Sequence, residues 1–538
     1  MSTDVALRDL GLSTDARDEP GVLLGLRPRL RSWLWHHRVS IVSLTPLLAA
    51  VTVVAGAGLG RAPAPFDDEG TYVAQAWAVG AHHQLAHYTY WYDHPPLGWI
   101  QLAIGEWLLG PLFRSAHAIV VGRELVLVAH VVSAGLLYVL ARRLGCRRGF
   151  ALLAVALFGF SPLVVEWQRM VLLDNIALPW LLAAFVLAAT PRRSLWAAAG
   201  AGLCLAVSVL TKETFLLLAP AVLWQLVRNS DRKTRSFCVT AFLTTATLCL
   251  VAYPLYALLK GELFPGASHV SLLDAVHFQL VGRASSGNVL SSSSVAHRTV
   301  MEWFHQDPWF VAMSISATAA AAWVPRLRPV ALAMVIQLVM ILRPGYLPIG
   351  YVVAALPFGA LLAAGALDAL ASRDFGRRVR RPGLRLGLVS SVVIVALVVS
   401  IVAPRWERGL HSLNTDVSRS TWAAEQWIAT NVPRDSRLIV DDTMWLDLVH
   451  DDFDSRESVV WFFKLDTTNN LDPSVMRMFP GGWRDFQYVV VTPSVRQSLA
   501  DMGGLTPVRD AVANSTPVAS FGTGDQYIEI RKIAVAPR

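Results

Sequence analysis

The stretch PLGWIQLAIGEWLLGPLF, residues 96–113, is apolar and long enough to cross a membrane once. Whether it crosses fixes the side on which every later loop lies. The chain around it has the composition of a polytopic membrane protein: of 538 residues, 54% are hydrophobic and 16% charged, and the mean hydropathy is +0.45. Apolar runs approaching the length needed to span ~30 Å of hydrocarbon lie near 40–59, 117–141, 149–167, 175–190, 195–211, 214–228, 236–259, 309–324, 329–343, 348–368 and 386–403. Those are eleven expected crossings without 96–113.

The basic residues decide the ambiguity. If 96–113 does not cross, the clusters Arg27/Arg29/Arg31/Arg38, Arg142/Arg143/Arg147/Arg148, Arg192/Arg193, Arg228/Arg232/Lys233/Arg235, Arg326/Arg328 and Arg373/Arg377/Arg378/Arg380/Arg381/Arg385 share one side, the cytoplasm. A crossing would put every cluster after the first outside. The segment is therefore expected flat at the outer interface, where Trp99, Glu106 and Trp107 suit it; a tilted spanning helix is the alternative. The formal charge of +8 and pI near 9.5 then read as topology signals, with no nucleic-acid partner.

Cys204 and Cys249 lie in apolar runs, Cys238 begins one and Cys146 sits in a basic loop, so no disulfide or metal framework is implied. The polar N-terminus lacks the pattern of a cleaved signal peptide. The expected organisation is a cytoplasmic tail (1–38), a transmembrane domain (39–403) whose outer loop spans 61–116 with juxtamembrane helices, and an external α/β domain (404–538). In the last, TWAAEQWIATNV reads as an amphipathic helix and RLIVDD, SVVWFFKL, QYVVVTP and QYIEIRKI as strands.

This topology gathers unusual groups on the outer face. They are Asp67, Asp68 and Glu69 in APFDDEGTYVAQAWAVG, His94 in YWYDHPPLGWIQL, Arg169 and Asp174 in EWQRMVLLDN, Lys212 and Glu213 in LTKETF, and Arg343 and Tyr346 in LRPGYLPIGY. Ionisable groups at membrane depth point to function, and cations at the boundary suit a lipid phosphate. The plainer reading is that Arg169–Asp174 and Lys212–Glu213 neutralise each other or snorkel.

These residues, in this order, resemble the GT-C membrane glycosyltransferases of the protein O-mannosyltransferase and aminoarabinose-transferase type, which use polyprenyl-phosphate sugars. Asp68-Glu69 resembles the family's acidic pair, HPPL at 94–97 its Pro-Pro turn, and RMVLLD at 169–174 its later Arg and Asp. TKE at 211–213 resembles its Thr-Lys element, Arg123 the arginine opening its second span, and Arg343 with Tyr346 its late phosphate-side region. The likeness covers roughly 40–370 and implies a polytopic GT-C-like helical fold. His94 stands where the aminoarabinose enzymes often carry lysine, which leaves the sugar open, and the extra acid Asp67 leaves the register of the catalytic pair open by one.

The resemblance implies transfer to an acceptor hydroxyl with inversion. Asp68 is the expected base, beside Glu69. Lys212, Arg343 and His94 are candidates to stabilise the departing phosphate, Asp174 to orient His94 or Lys212, and Arg123, Arg169 and Tyr346 to complete the substrate site. Tyr88, Tyr90, Trp91 and Tyr92 pack on sugar or lipid or form an interfacial belt. Asp67, Asp68 and Glu69 offer hard oxygens to Mg²⁺ or Mn²⁺, but no metal ligand set is assigned; the alternative for Asp67 is capping of the following helix. Expected partners are a polyprenyl-phosphate-linked sugar, membrane lipid, and a protein, lipid or glycan acceptor. The expected location is a bacterial plasma membrane. A lipid or polysaccharide transporter is the competing class, although no internal repeat is visible.

Overall fold

The computed structural model describes residues 21–110, 115–191, 193–266, 269–376, 384–468 and 472–534. Residues up to Leu47 form a unit of their own. Its described part is the start of the first helix, where the Arg38 guanidinium lies 3.9 Å from the Trp35 ring centroid. Everything from Leu48 onward forms the second unit.

The helices follow the apolar runs. They are α1 (Gly21–Gly56), α2 (Asp67–His82), α3 (Leu97–Leu109), α4 (Ala118–Arg143), α5 (Arg148–Phe160), α6 (Pro162–Arg169), α7 (Leu173–Ala188), α8 (Leu195–Thr211), α9 (Ala219–Asn229), α10 (Arg235–Leu259), α11 (Leu272–His277), α12 (Val295–Gln306), α13 (Pro308–Ala320), α14 (Arg328–Leu342), α15 (Tyr351–Gly376) and α16 (Leu384–Ser412). Among the described residues, five segments are long and apolar enough to cross a bilayer: His37–Gly56, Ala118–Arg143, Arg235–Leu259, Pro325–Leu342 and Tyr351–Ser372.

Helices α5 and α6 meet at 62° and make a sixth span if taken together. The bend has a local cause. Pro162 has no N–H to continue the ladder and holds Ser161 in extended backbone. The expected runs are all helical, but α7 and α8, at 16 and 17 residues, reach only about 24–26 Å. Length therefore carries five or six of the eleven expected crossings.

Of segment 96–113, whose residues 111–113 lie outside the described residues, Leu97–Leu109 forms α3, and its 13 residues span about 20 Å, short of the hydrocarbon thickness. It packs against α2, α4, α7 and α8. Trp107 is 79% exposed, as an interfacial residue would be, whereas Trp99 is fully buried and belongs to the core.

Helix α15 is the centre of the bundle. It is almost wholly buried and packs on α5, α13 and α14. Its Asp368 accepts from Arg147 at 2.6 Å and also from Arg326, so two of the basic loops meet at one end of the bundle.

The C-terminal region comprises α17 (Arg419–Asn431), β1 (Leu438–Val440), α18 (Asp442–His450), β2 (Val459–Trp461), β3 (Tyr488–Val491), β4 (Ser515–Phe521) and β5 (Ile528–Ile533). The sheet order is β2-β1-β3-β5-β4, with β1 parallel to β2 and β3, and β5 antiparallel to β3 and β4. The runs LIV, VVW and YVVV are buried throughout, as in a sheet covered on both faces. The expected helix and four strands are present. β4 is additional: it is an exposed edge strand with Pro517 at a bulge, a setting in which the usual strand pattern is lost.

The expected boundary at 403/404 falls inside α16. The sheet region also packs directly on the loop before α4, sharing one hydrophobic core with Tyr72, Val73, Tyr88 and Trp99. Gly70 marks the closest approach: a Cβ there would lie 2.3 Å from the Asp442 carbonyl oxygen.

Candidate active site

The three acids of α2 fall into different surroundings. Glu69 is fully buried. Its carboxylate accepts from Arg123 Nε at 2.9 Å and Nη2 at 2.6 Å, from Val171 N at 2.8 Å and from Phe66 N at 3.1 Å. Glu69 thus ties down the helix start, and Asp67, considered as a cap, is instead the first helical residue after Phe66. Asp67 accepts from the Asp68 N–H at 3.1 Å. Asp68 is half-buried, and its carboxylate makes no side-chain hydrogen bond among the described residues.

Arg123 completes the scaffold around Glu69 by donating to the carbonyls of Leu59, Pro63 and Ala64. Arg169, placed by its sequence neighbours beside Asp174, instead turns into the chain before α2. It donates to the carbonyls of Val54, Ala55, Ala57, Ala62 and Leu413. Its fork has no donor to spare for a phosphate.

The turn HPPL brings His94 to the end of α8. Lys212 Nζ lies 3.0 Å from His94 Nε2, and Glu213 Oε2 lies 3.0 Å from His94 Nδ1. An ammonium only donates, so Nε2 accepts and Nδ1–H donates to Glu213. Burial pulls the Lys212 pKa down, but Glu213, Asp174 and Asp68 outweigh it and the net shift is upward. Lys212 is thus held as a cation. Burial pushes the Glu213 carboxyl up, while His94 and Lys212 bring it down to about 2.

Asp174, buried at the start of α7, borders the same space. A Cβ on Gly350 would sit 2.9 Å from Asp174 Oδ2, so glycine is what allows the chain before α15 to pass. The negative charge of Asp68 is felt at Tyr72, Lys212 and Tyr346, so these groups lie within electrostatic reach of it. Asp67 is pushed up to about 7, by burial first and then by Asp68 and Asp441.

At the rim, Arg343 is exposed and donates to the Tyr346 carbonyl at 3.4 Å. The Arg283 guanidinium lies 3.8 Å from the centroid of the Tyr346 ring. Arg283 drew no attention in the sequence because it lies in a polar loop far from any motif. Asp442, which closes the run RLIVDD read as a strand, instead opens α18 and accepts from Thr71 Oγ1 at 2.8 Å across 371 residues of chain.

The aromatic run before HPPL is used to fix the loop. Tyr88 hydroxyl accepts from Trp461 N at 3.2 Å, Tyr90 hydroxyl donates to the His94 carbonyl at 2.6 Å, and Tyr92 hydroxyl donates to Glu262 at 2.5 Å. Trp91 alone of the four is exposed.

Comparison with known proteins bears on the family and the fold. Residues 93–256 match the family model of the dolichyl-phosphate-mannose-protein mannosyltransferases. That segment holds His94, Arg123, Arg169, Asp174, Lys212 and Glu213 but not Asp68, Arg343 or Tyr346. The crystal structure of ArnT from Cupriavidus metallidurans, bound to undecaprenyl phosphate, is similar over 93% of this chain and 100% of its own, with a TM-score of 0.55 and 17% identity. The chain has the fold of the GT-C glycosyltransferases.

A second GT-C structure supports this. The archaeal oligosaccharyltransferase AglB from Archaeoglobus fulgidus, in complex with an inhibitory peptide and a dolichol-phosphate, is similar over 90% of this chain and 74% of its own, with a TM-score of 0.54 and 10% identity. No curated protein matches the chain by sequence. At these identities it is the GT-C fold that is shared.

Proposed function

We propose that this chain is a membrane glycosyltransferase that moves a sugar from a polyprenyl-phosphate carrier to an acceptor hydroxyl on the outer face of a bacterial plasma membrane. The supporting observation is that Asp68, whose carboxylate has no side-chain hydrogen bond among the described residues, lies within electrostatic reach of Lys212, a cation held by His94. The GT-C fold and the family match over 93–256 support the reading. The basic loops joined at Asp368 belong to the opposite, cytoplasmic end of the bundle.

Asp68 takes the acceptor's proton as the hydroxyl oxygen bonds to the anomeric carbon. The bond from that carbon to the phosphate oxygen breaks, and its electron pair leaves on the polyprenyl phosphate. In-line attack inverts the centre. Lys212 stabilises the departing phosphate, and a preorganised cation in a water-poor site is worth far more than one in water. His94 acts through Lys212: with Nε2 accepting from the ammonium and Nδ1–H on Glu213, it aims the cation. Asp174 supports the same charge. Arg343, with Arg283 on Tyr346, borders the route by which the phosphate enters.

The test is transfer from a labelled polyprenyl-phosphate sugar by purified protein in lipid. Asp68→Asn keeps the shape and removes the base, so turnover falls by about 10²–10⁴-fold with donor binding retained. Near-normal turnover by Asp68→Asn refutes the assignment, and a larger loss in Asp67→Asn moves the base by one residue.

A further inference from the structure

Away from that site, three chelating side chains converge where α4 begins. His117 precedes α4, Glu425 comes from α17 and Asp447 from α18. His117 Nδ1 lies 3.0 Å from Asp447 Oδ2 and 3.3 Å from Glu425 Oε2, and one donor atom from each residue lies within 4.8 Å of the others. One ring nitrogen thus faces two carboxylates at close range, an arrangement that either a shared proton or a metal ion can hold together.

Glu425 supplies an independent observation. It is only 3% exposed, and among the described residues neither of its carboxylate oxygens has a hydrogen-bond partner beyond the 3.3 Å approach of His117. Nδ1 carries at most one hydrogen, and the nearer Asp447 takes it. A buried carboxylate without a donor is costly, several kcal/mol on typical scales.

The other two ligands are aimed by their neighbours. Asp447 uses Oδ1 to accept from Ala118 N at 2.7 Å, which leaves Oδ2 for the cluster. The His117 imidazole stacks on Trp422 with centroids 3.9 Å apart, and Trp422 is itself fixed by its bond to the Gly60 carbonyl. Such outer contacts are what orient metal ligands. His117 is 30% exposed, so water can reach a fourth position.

We propose that His117, Glu425 and Asp447 bind a Zn²⁺ ion that staples the sheet region to the start of α4. Ligands 2.0–2.2 Å from a tetrahedral zinc stand about 3.3 Å apart, and the two separations from His117, 3.0 and 3.3 Å, are already close to that. One imidazole and two carboxylates suit zinc, and the affinity order places it above Mn²⁺ and Fe²⁺ at such a site. The staple braces α2 from both sides. α18 carries Asp442, which holds Thr71, and α4 carries Arg123, which holds Glu69.

The experiment uses the full chain in lipid, purified without metal-affinity chromatography. Zinc content is measured by mass spectrometry. Thermal unfolding is followed after chelation and again after adding zinc chloride. One zinc per chain, and a rise in unfolding temperature on zinc addition, are expected for the parent protein. Glu425→Gln should bind at least tenfold more weakly and lose that rise. A folded parent chain that holds no zinc and does not respond to it overturns the proposal, as does a Glu425→Gln chain that responds like the parent. The triad then shares only a proton. Should Glu425→Gln fail to fold, His117→Gln at the partly exposed ligand makes the same comparison with the same outcomes.

Discussion

Two buried charge clusters lie at one end of the bundle, and they differ in how completely their hydrogen bonds are used. Around Arg123 and Arg169 the donors go to eight backbone carbonyls and to Glu69, whose own oxygens also take the Val171 and Phe66 amides. Around Lys212, the ammonium has one hydrogen bond among the described residues, to His94, and Asp68 across from it has no side-chain partner. Buried polar groups that are fully satisfied rigidify a fold. Groups held in place but left unsatisfied are available to a ligand. The difference separates scaffold from site where charge and burial alone do not.

The hardest test of that distinction is Arg123→Met. It strands the Glu69 carboxylate, and removing one partner of a buried pair typically costs ~3–5 kcal/mol. The expected result is a large drop in folded yield and unfolding temperature, with near-normal donor affinity in whatever folds. A chain that unfolds at the parent temperature but has lost donor binding would make Arg123 part of the site and erase the contrast.

The matching change in the other cluster is Lys212→Ala. Loss of a charge-assisted contact to phosphate costs ~1.5–3 kcal/mol, or about ten- to a hundred-fold in donor use. Arg343→Ala should cost less, because Arg343 is exposed to solvent that screens it. Both are read as donor kinetics on folded protein in lipid. Unchanged kinetics in both variants would remove the phosphate role, and an equal loss in both would show that burial does not sharpen it.

The sequence carries this contrast only in part, and the reason is range. Apolar periodicity located the helices, and buried β-branched runs located β1, β2, β3 and β5, because those signals are local. The site residues were visible as acids and cations in family-like order on one expected face. Their pairings were not. Adjacency suggested Lys212 with Glu213 and Arg169 with Asp174. Glu213 instead bonds to His94 across 119 residues, and Arg169 bonds to Leu413 across 244. Asp442 and Glu425 reach α2 and α4 from the far end of the chain, and no local pattern encodes such contacts.

The smallest effect expected lies on Asp67, between the two clusters. Burial, Asp68 and Asp441 raise its carboxyl from 3.8 to about 7. A carboxyl raised on folding makes the native state bind the extra proton, so stability falls as pH climbs from about 4 to 7 and stays lowered above that. Asp67→Asn removes the titrating group. It should therefore be more stable than the parent at pH 8, by ~1–2 kcal/mol once the partial exposure of Asp67 is discounted, and so unfold at a higher temperature there, and the gap should close by pH 4. Its turnover should change far less than that of Asp68→Asn. Thermal unfolding of both chains across that pH range checks it: a gap that does not depend on pH would mean that Asp67 stays ionised throughout, and the acid beside the proposed base would then be a second candidate for its role.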